Sequence, residues 1–330
     1  MRLFVTGAAG YIGGTFSVEA LKRKYDVLGC DNFLNSSPKS IKQIRKLKPA
    51  RYEFVELDIL NTEELVKCFQ SFKPDIIIHF AALKNVEDSE KNYEIYQKNN
   101  VEGTSSIISA MQQTNINRII YSSSAAIYGE QKVQPVSECA KKNPLSHYAE
   151  TKLEAEHLIK DCSIQDGFKA ISLRYFNPLG AHAEKIFYEN YMNPKSNILG
   201  NILKVYFGKN EFFYIYGSDF PTTDGTAIRD YIHIEDLVRG HFNAIEHIEY
   251  IDSYEAFNLG TNTGVSVLEL LEAFSEVTKK KLKVRIAKKR SFDIPISYAD
   301  SSKSNKILNW TTKKNIKEMC SSYLRVFEDG

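Results

Sequence analysis

The sequence predicts an α/β fold, a doubly wound parallel sheet with a smaller C-terminal lobe. Three observations predict it. The first half alternates short β-branched apolar runs with longer amphipathic stretches, a βαβα pattern. Ile76-Ile77-Ile78 is a continuous apolar run, as in a strand buried on both faces. The chain has 330 residues, about twice a typical single domain, which leaves room for an appended lobe.

Strands are expected at Leu3 to Thr6, Val27 to Asp31, Tyr52 to Leu57, Ile76 to Phe80, Ile119 to Ser122 and Ala170 to Arg174. Helices are expected between them, at Ile12 to Lys24, Thr62 to Phe72, Tyr93 to Thr114 and Tyr148 to Cys162. After Arg174 the alternation breaks up. Residues 181 to 197 lack periodicity, and 216 to 230 hold Gly217, Pro221 and Gly225, so both read as loops. A further strand at Ala256 to Leu259 and a helix at Val265 to Val277 precede a basic run from Lys279 to Arg290. Residues 1 to 178, with a returning segment near 228 to 262, are expected to form one domain. Residues 179 to 330 are expected to form mainly the substrate lobe.

Hydrophobic content of 43% and charged content of 25% match ordinary globular usage and exclude a disordered or collagenous chain. A formal net charge of +2 gives too weak a field to indicate nucleic acid or an anionic membrane as partner. Five cysteines, scattered and without a C-x-x-C pair, fit reduced thiols in a cytoplasmic protein. No metal-ligand cluster is legible, so His79 and His233 read as structural hydrogen-bonding groups.

Gly7-Ala8-Ala9-Gly10-Tyr11-Ile12-Gly13 directly follows an apolar strand and opens a helix. Glycines let the backbone approach a pyrophosphate, whose charge the helix N-terminal amides satisfy, so the first half reads as Rossmann-like. Asp31 ends the next strand, 18 residues after Gly13, where a carboxylate binds the adenosine ribose and repels the extra phosphate of NADP. The expected cofactor is NAD. Asp58 ends the third strand, either as a helix N-cap or as an adenine contact, roles that are compatible.

Tyr148 and Lys152 stand four apart on a helix, hence on one face. Free tyrosine titrates near 10, and an adjacent ammonium favours its phenolate. The pair follows Ser122-Ser123-Ser124, which places a hydroxyl at the carboxyl edge of the sheet, where ligands of open α/β sheets bind. Ser124, Tyr148 and Lys152 therefore form a proton-transfer set beside a dinucleotide site.

These residues resemble the extended short-chain dehydrogenases/reductases and, more narrowly, the UDP-glucose 4-epimerase family. The similarity also runs through Asp31-Asn32, His79-Phe80-Ala81-Ala82-Leu83-Lys84, Arg174-Tyr175-Phe176-Asn177-Pro178 and Arg229-Asp230-Tyr231-Ile232-His233. The resemblance implies C4 inversion of UDP-hexoses through a transient 4-keto sugar, with Ser124, Tyr148 and Lys152 catalytic. It implies NAD contacts from Gly7, Gly10, Tyr11, Ile12, Gly13, Asp31, Asn32, Asp58, Ile59, Phe80, Ala81, Ala82, Lys84, Asn99, Tyr148, Lys152 and Tyr175. For the UDP-sugar it implies Lys84, Ser124, Tyr148, Asn177, Asn197, Tyr216, Arg229, Arg290, Asp293 and Ser297. Arg229 and Arg290 would meet the diphosphate, Asn197 and Asp293 would hydrogen-bond the diphosphate and uridine ribose, and Tyr216 would lie near uracil.

Two departures carry information. The family usually has Gly just before the position of Asp293, and here it is Phe292. The position facing the sugar's C2 substituent is bulky in enzymes restricted to plain hexoses; here it is Ser297, which implies room for UDP-N-acetylhexosamines. Alternatives are a UDP-glucuronate epimerase or a dehydratase of the same family, and a non-catalytic dinucleotide-binding protein. Ala125-Ala126 stands where a dehydratase carries an acidic pair, which disfavours that reaction. The resemblance further implies a homodimer through the helices around 93 to 114 and 148 to 162.

Overall fold

The computed structural model describes residues 1–47, 51–188 and 197–328. The chain divides into two compact units: Met1–Ile127, Pro144–Arg174 and Val238–Phe257 form one, and Tyr128–Asn143, Tyr175–Leu237 and Asn258–Gly330 the other.

The first unit is built on a seven-stranded sheet. Its strands are β1 (Arg2–Thr6), β2 (Asp26–Asp31), β3 (Tyr52–Glu56), β4 (Ile76–His79), β5 (Arg118–Ser124), β6 (Lys169–Tyr175) and a returning strand, Tyr254–Leu259. The order is returning strand, β6, β5, β4, β1, β2, β3. β1 pairs in parallel with both β2 and β4, so the chain order reverses beside the end of β1, where open α/β sheets bind dinucleotides. Each of the strands expected in this half is present, within a residue or two at its ends.

Strands buried on both faces need apolar cover on each. On one side Phe4, Ile77 and Tyr121 pack with Leu65 and Phe69 from helix Thr62–Phe72, Met111 from helix Gly103–Thr114 and Ile159 from helix His147–Asp166. Elsewhere Phe16, from helix Tyr11–Lys22, stacks on Phe242 at 4.8 Å and tilts against Phe80 at 5.4 Å. Each fully buried aromatic side chain contributes roughly 1.5–3 kcal/mol of transfer free energy.

The expected continuous helix from Tyr93 to Thr114 is interrupted. Tyr93–Tyr96 is α-helical, Gln97–Glu102 is a π-helical turn, and α-helix resumes at Gly103. Such turns cluster at functional sites because they re-aim side chains that an unbroken helix would space evenly. Helix Pro38–Lys46 was not expected; Ser37 caps it through the Lys39 amide.

The second unit holds short sheets under helices. Phe213–Tyr216 pairs with Val284–Ala287, and the alternation of the former sends Phe213 and Ile215 into a core with Leu203, Phe274 and Tyr323. The basic run thus contains an exposed strand. Helices Ile198–Tyr206 and Ile316–Glu328, absent from the sequence reading, complete this core, while Val267–Thr278 carries a capping box from Ser266 and Glu269. The segment 216 to 230 is not wholly loop: Ile228–Arg229 forms a strand between Val265–Ser266 and Ile296–Ser297. Of the other expected loop, residues 189–196 lie outside the described residues.

Candidate active site

The glycine loop fits an approaching anion. Gly7 adopts φ +68°, and a Cβ there would stand 2.8 Å from the Ala81 amide nitrogen; at Gly13 it would stand 2.3 Å from the Gly7 carbonyl oxygen. No side chain caps the helix that begins after Gly10, which leaves its positive end for a ligand. Beside the loop lies a pocket lined by Gly7, Asp31, Asn32, Leu34, Asn35, Leu57, Ile59, Ala81, Ala82, Leu83 and Asn99.

Asp31 organises this pocket's rim. Its carboxylate accepts the Ala9 amide at 3.0 Å, the Phe33 amide at 2.9 Å and the Ser36 hydroxyl at 2.8 Å. A carboxylate has about four acceptor sites, so capacity for a ribose hydroxyl remains. Asp58 is not the helix cap: Asn61 caps Thr62–Phe72 by accepting the Glu64 amide, while Asp58 accepts the Leu60 amide and the Asn32 side-chain amide. The helix begins too late for Asp58 to reach its orphan amides. Phe80 turns its ring toward Phe16 and His241, and Ala81, Ala82 and Leu83 face the pocket instead. Lys84 is exposed, and Tyr11 and Ile12 are half-buried on the first helical turn.

A buried relay fixes the loop. The Ala81 amide donates to Thr6 Oγ1, which lies 2.8 Å from His79 Nδ1; His79 Nε2 lies 3.0 Å from Thr104 Oγ1, which donates to the Asn100 carbonyl. Thr104 spends its proton on that carbonyl, so His79 carries hydrogen on Nε2 and is neutral. Burial, reinforced by the Lys152 charge, brings the His79 imidazolium down to about 3. An unfolded imidazole gains its proton near 6.5. The unfolded state therefore binds more protons than the native state between these values, and stability is expected to fall as pH drops from 6.5 toward 3. Denaturant titrations across this range check it; His79→Gln should flatten the slope there.

Asn100, which the sequence reading passed over in favour of Asn99, is fully engaged. Its Oδ1 accepts the Leu83 amide, and its Nδ2 donates to the Leu83 carbonyl and to Thr151 Oγ1. The π turn produces this pairing, with Asn99 lining the pocket and Asn100 pinning the segment before Lys84 to the helix that carries Tyr148. An N-N dipeptide amid a helical pattern was the available signal.

Ser146 caps helix His147–Asp166, and the Tyr148 amide donates to Ser89 Oγ, so the first helical turn is fixed from two sides. Ser124, at the end of β5, accepts the Ala126 amide at 3.2 Å, and its hydroxyl lies close enough to the Tyr148 phenol to act on it electrostatically. Burial raises the Tyr148 phenol above its ordinary value, and the Ser124 hydroxyl opposes that by favouring phenolate. The Lys152 ammonium lies 4.3 Å from the Tyr121 ring centroid. Its desolvation, partly offset by Glu156, brings it down to about 7.

The second unit gathers a cationic group of its own. Arg290 forks onto Asp293, with Nε 2.9 Å from Oδ2 and Nη2 2.7 Å from Oδ1, and its guanidinium lies 4.7 Å from the Tyr216 ring centroid and 5.0 Å from that of Phe292. Phe292 adds a second aromatic wall and needs no positive φ. Arg229 is desolvated, which lowers its guanidinium, and it feels Tyr231, Asp293 and Arg290 nearby. Ser297 pairs in register with Arg229, so paired side chains share a face. Asp230 anchors this strand by accepting the amides of Thr261 and Ala299 and the Thr261 hydroxyl.

Asn177 and Asn197 spend their amides internally. Asn177 Nδ2 donates to the Asp230 carbonyl, and Asn197 caps Ile198–Tyr206 through the Gly200 amide and donates to the Pro178 carbonyl. Tyr175 is buried at the end of β6. Among the described residues no cluster of His, Cys, Asp or Glu could hold a metal ion, and no helix is long and apolar enough to cross a membrane.

A dinucleotide cradle with a Ser–Tyr–Lys set on the carboxyl edge of the same sheet defines a nicotinamide-dependent enzyme that moves a proton beside its cofactor. The chain belongs to the NAD dependent epimerase/dehydratase family, which matches residues 3–260. It is 36% identical over 326 residues to the UDP-glucose 4-epimerase of Bacillus subtilis (strain 168), covering 98% of this chain and 96% of that protein. A Stenotrophomonas maltophila UDP-glucose-4-epimerase with bound NAD and formylated UDP-arabinopyranose superposes at a TM-score of 0.95, with 34% identity over 99% of this chain and 97% of the other. The Bifidobacterium longum UDP-glucose 4-epimerase, in complex with NAD+ and UDP, does so at 0.93, with 33% identity over 100% of this chain and 99% of the other.

Proposed function

We infer that this chain is an NAD-dependent epimerase that inverts C4 of a UDP-hexose, interconverting UDP-glucose and UDP-galactose. The observation that carries the reading is the Ser124 hydroxyl at the end of β5 acting on the Tyr148 phenol, with Lys152 one helical turn further on. Bound NAD supplies the reversible electron acceptor for C4. Gly7 to Gly13 and Asp31 hold its pyrophosphate and adenosine ribose. Tyr148 takes the C4 hydroxyl proton and returns it to the inverted alcohol, Ser124 holds the C4 oxygen, and Lys152 supplies positive charge. Arg229 and Arg290 neutralise the sugar nucleotide's diphosphate, Asp293 orients Arg290 and receives the uridine ribose, and Tyr216 faces uracil. The UDP half stays anchored while the oxidised sugar turns over.

The test is conversion of UDP-glucose to UDP-galactose, followed by proton NMR from either sugar, without added NAD. Incubation with UDP and a reducing sugar should build the absorbance of the reduced cofactor. A stable 4-keto-6-deoxy sugar would instead mark a dehydratase, and no bound cofactor with no such band would mark a binding protein.

Asp31→Asn is expected to weaken NAD by ten- to a hundredfold, the loss of one or two hydrogen bonds to a charged group worth about 1.5–3 kcal/mol. Discrimination against NADP should narrow in parallel. Calorimetric titration of both dinucleotides checks it.

The same reading makes the chain a cytoplasmic homodimer through the helices around 93 to 114 and 148 to 162. Light scattering should return twice the 37.7 kDa chain mass.

A further inference from the structure

Glu156 has no part in the chemistry described so far, yet it is among the most enclosed charges of the first unit, with 3% of its side chain exposed. It stands one turn beyond Lys152 and two beyond Tyr148, so all three share one helix face. Its carboxylate joins two neighbouring strands. Arg174, from β6, forks onto it with Nη2 2.5 Å from Oε1 and Nε 3.2 Å from Oε2. Ser123, from β5 and next to Ser124, donates to Oε2 at 2.5 Å.

We propose that Glu156 is a positioning residue for the reaction: it locks Ser123, and with it Ser124, to the helix bearing Tyr148, and it supplies the counter-charge that keeps Lys152 protonated.

Resting on the epimerase reading, this deepens it. The charges around Lys152 are few. Tyr121 of β5 presents its ring face, His79 of β4 is neutral, Tyr148 is a phenol, and among the described residues the Glu156 carboxylate is the anion acting to keep the ammonium charged. Burial pushes the Glu156 carboxyl up, but Arg174 and Ser123 outweigh it and leave it ionised. A network chosen only for stability has no need of net charge, since buried pairs are often replaceable by apolar groups of similar volume.

The test reads Lys152 directly. In protein labelled with ¹³Cε-lysine, the Lys152 resonance, assigned by its loss in Lys152→Arg, reports protonation as pH is varied. Glu156→Gln should move its midpoint down by about one pH unit, and Arg174→Met, which leaves the carboxylate unneutralised, should move it up. The basic limb of the pH–rate profile for UDP-glucose should follow in the same directions. The double variant Glu156→Gln/Arg174→Met removes both buried charges and should titrate below wild type but above Glu156→Gln; it decides the matter if either single variant fails to fold. Shifts of the same sign in the two single variants, or a double variant that titrates as wild type, would overturn the proposal. If wild type titrates as expected but does not epimerise UDP-glucose, the functional reading falls and the electrostatic assignment stands.

Discussion

Replacing Tyr148 with Phe is expected to lower kcat for UDP-glucose epimerisation by about 10³-fold or more, while UDP binding stays within a few-fold of wild type. General acid–base groups contribute roughly 10²–10⁴-fold, and this site offers no substitute. Ser124 is a hydroxyl that already accepts the Ala126 amide, His79 is buried, neutral and committed to Thr6 and Thr104, and Lys152 lies against Tyr121. The ring is retained, so packing against the helix is undisturbed and the loss is chemical. The measurement is steady-state kinetics beside calorimetric binding of UDP. Turnover within tenfold of wild type would place the base elsewhere.

The second large effect concerns the sugar's C2 substituent. Ser297 lies in the short strand Ile296–Ser297, paired with Arg229, and Asp230 donates its amide to the Ser297 carbonyl. The backbone is therefore held by its neighbours and cannot retreat from a larger side chain. Wild type is expected to turn over UDP-N-acetylglucosamine as well as UDP-glucose. Ser297→Tyr should reduce kcat/KM for the acetylated sugar by about 10²-fold, the upper end of a steric clash of 1–3 kcal/mol. For UDP-glucose it should change little. Equal loss on both substrates, or no acetylated turnover in wild type, would refute the assignment.

Much of this was legible along the chain because it is local. Strands β1 to β6 announce themselves as apolar runs, and Gly7 to Gly13 and Asp31 sit at the strand ends that parallel pairing turns into a ligand edge. Tyr148 and Lys152 share a face by helical spacing alone. The second half was less readable. Helices Ile198–Tyr206 and Ile316–Glu328 form because a core closes over one face of each, so no stretch of sequence states their limits. Asn197 reads as a polar loop residue until the helix it caps exists.

The amino-acid sequence by itself determined the sheet and the glycine cradle, and it proposed the candidate proton-transfer residues, since each depends on residue type at short spacing. Only the tertiary structure decided their electrostatic state. Burial lowers Lys152 to about 7 and raises the Tyr148 phenol. The Glu156 carboxylate that offsets the first meets Arg174 and Ser123, residues far apart in the chain and joined by strand pairing. Desolvation and long-range Coulomb energy depend on what surrounds a group in space, and sequence neighbours do not specify that surrounding.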